Sequence, residues 1–289
     1  MTGVAILSDV DMTLAESTSN YVSPENKRLA FDLHGKLKGA FAVVTGRAGD
    51  SVDLTFPGMP ASVEHHASWR PEIGTDYIAL APLINTRELG AIARQSIQGQ
   101  VRIFDEISKV LGTEPGVYIQ EKKHALALIF AAAAATPEIR DLLADVATRI
   151  VAHGGLAATH RIAKGSDAVE IVPQGFNKGD AVRHFMGTLA FARRIPIFLG
   201  DSSSDATAMK VCADEFGGFG IAIGSGIPDA PYVHVRVKSI NEAWQCMRVI
   251  ESQPDDFAAV KEALRDPSTW GSKVGTMPAN ANLARLQVA

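Results

Sequence analysis

The chain has 289 residues, of which 46% are hydrophobic and 21% charged, with a net charge of −4 at pH 7. This length is enough for two domains, and this composition excludes a disordered chain. The charge leaves no basic footprint for nucleic acid, and no apolar run is long enough for a membrane span. Cys212 and Cys246 make no metal-ligand spacing and read as small core residues. The first residues carry no basic leader, so the expected compartment is the cytoplasm.

Val4 to Leu7 is a continuous apolar run, as a buried parallel strand requires, and it stops at Asp9-Val10-Asp11. Open α/β sheets place chemistry beyond the carboxyl ends of such strands. Residues two apart in an extended segment share a face, so Asp9 and Asp11 can point at one ligand. Two carboxylates that close repel unless a cation or a proton intervenes. The same residues also suit a strand-end turn.

Glu25 to Leu37 has helical apolar spacing, and Ala40 to Val44 reads as a second strand ending in Thr45-Gly46-Arg47. Strand, helix and strand make a right-handed βαβ unit. A third short strand is predicted at Ser62 to His66, between turns at 57–60 and 71–74. Leu83 to Leu111 reads as two helices broken near Gln98-Gly99. Val117 to Gln120 and Ala125 to Phe130 read as strands on either side of Glu121-Lys122-Lys123. Ala131 to Ala135 is expected to be a strand end approaching a helix at Pro137 to Ala152, with Thr136 as N-cap and proline at the first position. Thr159 to Ile162 and Ala168 to Val172 complete this block as strands.

Core-like pattern then resumes: helix Lys178 to Leu189, strand Ile195 to Leu199 ending in Gly200-Asp201, helix Ala206 to Ala213, and strand Gly220 to Ile223. A charged helix, Asp256 to Leu264, precedes an irregular stretch at 268–280. The expected fold is α/β: a doubly wound, Rossmann-like parallel-sheet core (1–82 and 173–252) with an inserted α+β cap domain (83–172). Residues 253–289 are left as a C-terminal helix and tail.

Asp9-x-Asp11-x-Thr13, Thr45-Gly46-Arg47, Asn177-Lys178-Gly179 and Gly200-Asp201-Ser202-Ser203-Ser204-Asp205 each lie at a strand end or helix start. Taken singly, each has an ordinary reading as a turn, an N-cap or a solvated lysine. In this order they resemble the four motifs of haloacid-dehalogenase (HAD) superfamily phosphatases, over residues 4 to 224. The insert resembles the open-faced cap of sugar-phosphate phosphatases. Three segments resemble the trehalose-phosphatase family in particular: His65-His66-Ala67-Ser68-Trp69-Arg70, Glu121 to Leu128, and Val169 to Gly179. The chain departs from that family at Met12, where glycine is usual, in the less acidic Ser202-Ser203-Ser204, and at Phe130-Ala131-Ala132, which replaces a His-Tyr-Arg-like segment.

The resemblance implies Mg²⁺-dependent hydrolysis of a phosphorylated sugar, with trehalose 6-phosphate foremost, through an aspartyl-phosphate. It implies Asp9 as nucleophile, Asp11 as acid/base, and Thr45 and Lys178 as catalytic partners. Metal ligands would be Asp9, Asp11 through its carbonyl, Asp201 and Asp205. Thr45, Gly46, Arg47 and Lys178 would hold the phosphoryl group, and Glu121, Lys123 and Glu170 of the cap the distal sugar. His65 and His66 lack a zinc-ligand spacing and read as wall or core residues. A phosphomannomutase-like mutase, a non-catalytic sugar-phosphate sensor, and a phosphatase for a sucrose-phosphate or mannosylglycerate-type substrate remain alternatives. A monomer or small homo-oligomer is expected.

Overall fold

The computed structural model describes residues 3–16, 21–98, 117–130, 136–165, 168–267 and 270. The expected second helix up to Leu111, the Ala131 to Ala135 approach and nearly all of the irregular tail fall outside them.

The larger sheet runs β12-β11-β10-β1-β2-β3-β4-β5. Its strands are β1 (Val4–Ser8), β2 (Phe41–Val44), β3 (Ala61–Val63), β4 (Ser68–Arg70), β5 (Ile78–Ala79), β10 (Ile195–Gly200), β11 (Phe219–Ile223) and β12 (Val233–Val237). Every pairing from β12 through β3 is parallel, and β4 and β5 add antiparallel edges. The chain builds outward from β1 one way through β2 and β3, then the other way through β10, β11 and β12. The switch of direction lies between β1 and β10, where an α/β crevice is expected. Around this sheet lie α1 (Pro24–Lys36), α2 (Gly49–Thr55), α5 (Lys178–Met186), α6 (Ser203–Phe216), α7 (Ile240–Ser252) and α8 (Phe257–Ala263). Val260, Leu264 and Trp270 join the main apolar core, so the start of the C-terminal region packs as part of it.

The second sheet is antiparallel, in the order β6-β7-β9-β8: β6 (Val117–Glu121), β7 (Leu126–Phe130), β8 (His160–Lys164) and β9 (Ala168–Pro173). Helices α3 (Thr86–Gln98) and α4 (Pro137–His153) cover one face of it. Thr136 caps α4 by accepting from the Ile139 amide, and Pro137 sits where its missing N–H costs nothing. Leu89, Leu126, Leu128, Leu143, Val169 and Ile171 build a separate apolar core under those helices. Strand alternation turns Tyr118, Gln120, Ile129 and Glu170 to the opposite face, toward the larger sheet.

Candidate active site

Asp9 is positioned by the sheet itself. Its amide still donates to the Leu199 carbonyl of β10, so its side chain emerges at the switch point. The chain then turns tightly, with the amides of Thr13, Leu14 and Ala15 all donating to the Val10 carbonyl and Met12 at φ 53°. Trp244 of α7 donates to the Leu14 carbonyl at 3.1 Å and fixes this turn from behind.

Lys178 opens α5, which Asn177 caps by accepting from the amides of Gly179 and Asp180. Buried there, Lys178 Nζ lies 3.0 Å from Asp9 Oδ1 and 2.5 Å from Asp205 Oδ1. Burial works against its charge, but Asp9 and Asp205 overcome that and hold the ammonium above its ordinary range. Asp205 is fully buried; its Oδ2 accepts from the amides of Asp201 and Ser202 and from the Ser202 hydroxyl. Gly200 makes room for it, since a Cβ there would lie 2.3 Å from Asp205 Cγ.

Carboxylate oxygens of Asp9, Asp201 and Asp205 all lie within 4.8 Å of one another. Burial lifts Asp9 to about 7; Lys178 pulls against that rise and Asp205 adds to it. Burial and the Asp205 charge lift Asp201 to about 6. Three carboxylates facing one ammonium leave negative charge uncompensated, and hard oxygen donors of this kind suit Mg²⁺.

Asp11 stands apart from this cluster. Arg47 grips its carboxylate through Nε at 3.0 Å and Nη2 at 2.6 Å, a two-point hold that fixes the direction of the carboxyl group. Thr45 is buried at the end of β2, and its hydroxyl oxygen accepts from the Arg47 amide. Asp9, Asp11, Thr45, Gly46, Lys178 and Asp201 line one cavity of about 490 Å³. It adjoins a cleft of about 800 Å³ under the second sheet, which shares Asp11, Gly46, His65 and Ser202 with it.

Of the three cap residues expected at the distal sugar, Glu170 alone lines the cleft. Glu121 does not face the cleft. It continues the odd-numbered face of β6 with Val117 and Ile119, lies against Gly90 of α3 and pairs with Arg94 at 3.0 Å. Lys123 is exposed beyond the strand end and lines neither cavity. Lys122 points inward instead, donating to Glu170 Oε1 at 3.0 Å and to the Gly46 carbonyl of the large-sheet unit at 3.2 Å. Glu170 does face the cleft, and His65 Nε2 lies 3.1 Å from it. Burial alone would raise Glu170, but His65 and Lys122 pull it down to about 2. Sequence reasoning missed Lys122, Gln120, Tyr118 and Arg161, which line the two cavities, and assigned His65 no partner. Alternation with Val117 and Ile119 was the signal that could have found the first three.

The trehalose-phosphatase family model matches residues 7–229. The trehalose-6-phosphate phosphatase of Escherichia coli is 30% identical over 248 residues, 84% of each chain. A solved trehalose-6-phosphate phosphatase related protein superposes with a TM-score of 0.61 at 22% identity, covering 86% of this chain and 97% of its own. A haloacid dehalogenase-like hydrolase from Bacteroides thetaiotaomicron gives 0.56 at 13% identity, over 86% and 99% of the two chains. A doubly wound core, buried carboxylates on its switch point and this likeness over most of the length agree: the chain belongs to the trehalose-phosphatase family and is a phosphoric monoester hydrolase.

Proposed function

We propose that the protein hydrolyses trehalose 6-phosphate to trehalose and phosphate, through a phosphoryl group carried on Asp9. The observation that carries this reading is the buried Asp9–Lys178 pair, 3.0 Å apart, opening into a cleft roofed by a polar sheet face. An Asp9 oxygen attacks phosphorus and the bond from phosphorus to the sugar oxygen breaks, splitting one difficult displacement into two. Asp11, aimed by Arg47, gives a proton to the leaving oxygen. It then takes one from the water that attacks the phosphoryl group, and the bond to Asp9 breaks. Lys178 and the Thr45 hydroxyl hold phosphoryl oxygens as charge spreads over them.

Asp9, Asp201 and Asp205, with the Asp11 carbonyl, would hold Mg²⁺, which when bound supplies positive charge to the nucleophile and the phosphoryl oxygens. Tyr118, Gln120, Lys122 and Glu170 would meet the hydroxyls of the distal sugar; Glu121 and Lys123 are replaced in that role. Phosphate release from a panel of phosphorylated sugars, with Mg²⁺ and with EDTA, tests the reading. The expected result is Mg²⁺-dependent release, highest from trehalose 6-phosphate. Higher kcat/KM on another sugar phosphate would reject the substrate, full activity in EDTA the metal, and phosphate retained on the sugar would favour a mutase.

A further inference from the structure

Between β3 and β4, three consecutive residues other than glycine adopt left-handed backbone: Glu64 at φ 54°, His65 at φ 54° and His66 at φ 71°. L-residues avoid this region, and a run of three persists only where its surroundings enforce it. Each side chain of the turn goes somewhere different. Glu64 accepts from the His124 amide at the tip of the β6–β7 hairpin, and its own amide donates to the Arg47 carbonyl. His65 reaches Glu170 across the cleft. His66 is 7% exposed and lines the inner cavity with Asp9, Thr45 and Lys178.

We propose that His66 binds the phosphoryl group directly, donating a hydrogen bond from Nε2 to one of its oxygens. Ser62 Oγ lies 3.2 Å from Nδ1; in the tautomer proposed, that hydroxyl donates to Nδ1 and the proton sits on Nε2. Nε2 takes no protein partner among the described residues. Burial first, then the charges of Lys178 and His65, hold the imidazole well below its ordinary pKa, so it is a neutral donor. There is room for a further donor here. With two protons of the Lys178 ammonium facing Asp9 and Asp205, Lys178 has one left and Thr45 adds one hydroxyl, while a phosphoryl group presents three terminal oxygens, each able to accept more than one bond. From this left-handed turn His66 reaches the wall of the cavity. The proposal rests on the phosphatase reading of the site but not on the identity of the sugar.

His66→Gly separates function from fold, because glycine accepts the left-handed conformation without strain. A residue that only fills the wall predicts a variant of unchanged activity. The proposal predicts an unfolding temperature equal to or above that of the parent. It also predicts a roughly tenfold lower kcat/KM on p-nitrophenyl phosphate and a roughly tenfold weaker inhibition by inorganic phosphate, the scale of one neutral hydrogen bond. His66→Asn, which tolerates the same backbone and keeps an N–H donor, should recover part of both. Unchanged phosphate inhibition and unchanged aryl-phosphate turnover in the glycine variant would overturn the proposal, as would losses that Asn does not relieve at all. Failure of the unaltered enzyme on trehalose 6-phosphate would reject the substrate alone, since neither probe of His66 carries a sugar. Should p-nitrophenyl phosphate not be turned over, calorimetric titration with inorganic phosphate decides the question for His66.

Discussion

At the residue scale, Asp9, the proposed nucleophile, is held against its own preference. The Asp9 carboxyl is raised from 3.8 to about 7, chiefly by burial, and Lys178 only partly offsets this. An acid whose folded pKa lies above its unfolded value binds its proton more readily in the folded protein. Folding stability therefore falls as pH rises through that window, from about 4 to 7. Asp9→Asn removes this cost and keeps the size. In metal-free protein, the unfolding temperature of Asp9→Asn should exceed that of the parent at pH 8, and the two should coincide near pH 3. Turnover should fall below about 1%, a loss of roughly 3 kcal/mol in transition-state stabilisation. Calorimetry in EDTA reads the first two, and a higher parent midpoint at pH 8 would mean that the Lys178 pair outweighs the burial.

At the element scale, the junction of β10 and α6 carries the most closely fitted parts. Gly200 lets the Asp205 side chain pass; Asp205 in turn caps α6 and grips Lys178. Gly200→Ala should push Asp205 away from both and destabilise the fold by about 2 kcal/mol, as overpacking generally does. kcat should fall with it; a denaturant midpoint and a kcat that both match the parent would show that the junction gives way freely. Buried parallel strands announced these junctions in the sequence, because a strand buried on both faces is apolar throughout and needs no phase. β6 is different. Its Val117 and Ile119 are only half-buried against the second core, and a shift of one position in Glu121-Lys122-Lys123 exchanges the residue in the cleft for one against a helix. Ser239 and the spacing of Ala243, Trp244, Met247 and Ile250 would have marked α7. The left-handed turn at 64–66 left no mark, because the glycine or asparagine that usually signals such backbone is absent.

At the scale of the whole molecule, two sets of bonds join the smaller sheet to the larger. His124 is buried at the hairpin tip, with Nδ1 3.1 Å from the Pro82 carbonyl and Nε2 2.9 Å from Ser68 Oγ. Across the cleft, Lys122, Glu170, His65 and the Gly46 carbonyl form a second set. Glu170 is ordinarily near 4.5 and is held at about 2, so its contribution is fully present above pH 4.5 and is lost as pH falls toward 2. Glu170→Gln should thus lower the unfolding temperature at pH 7 and progressively match the parent as both are acidified. A constant difference across that range would mean that the carboxylate charge adds nothing. Every partner in this second set belongs to the chain itself, so these bonds hold the cap against the core with no ligand bound. Where they must break for a sugar phosphate to enter, capture measured by stopped flow should be slower than collision. Salt loosens partly exposed ion pairs, so moderate ionic strength should hasten capture here, the reverse of what a mouth that draws in phosphate by long-range attraction would show.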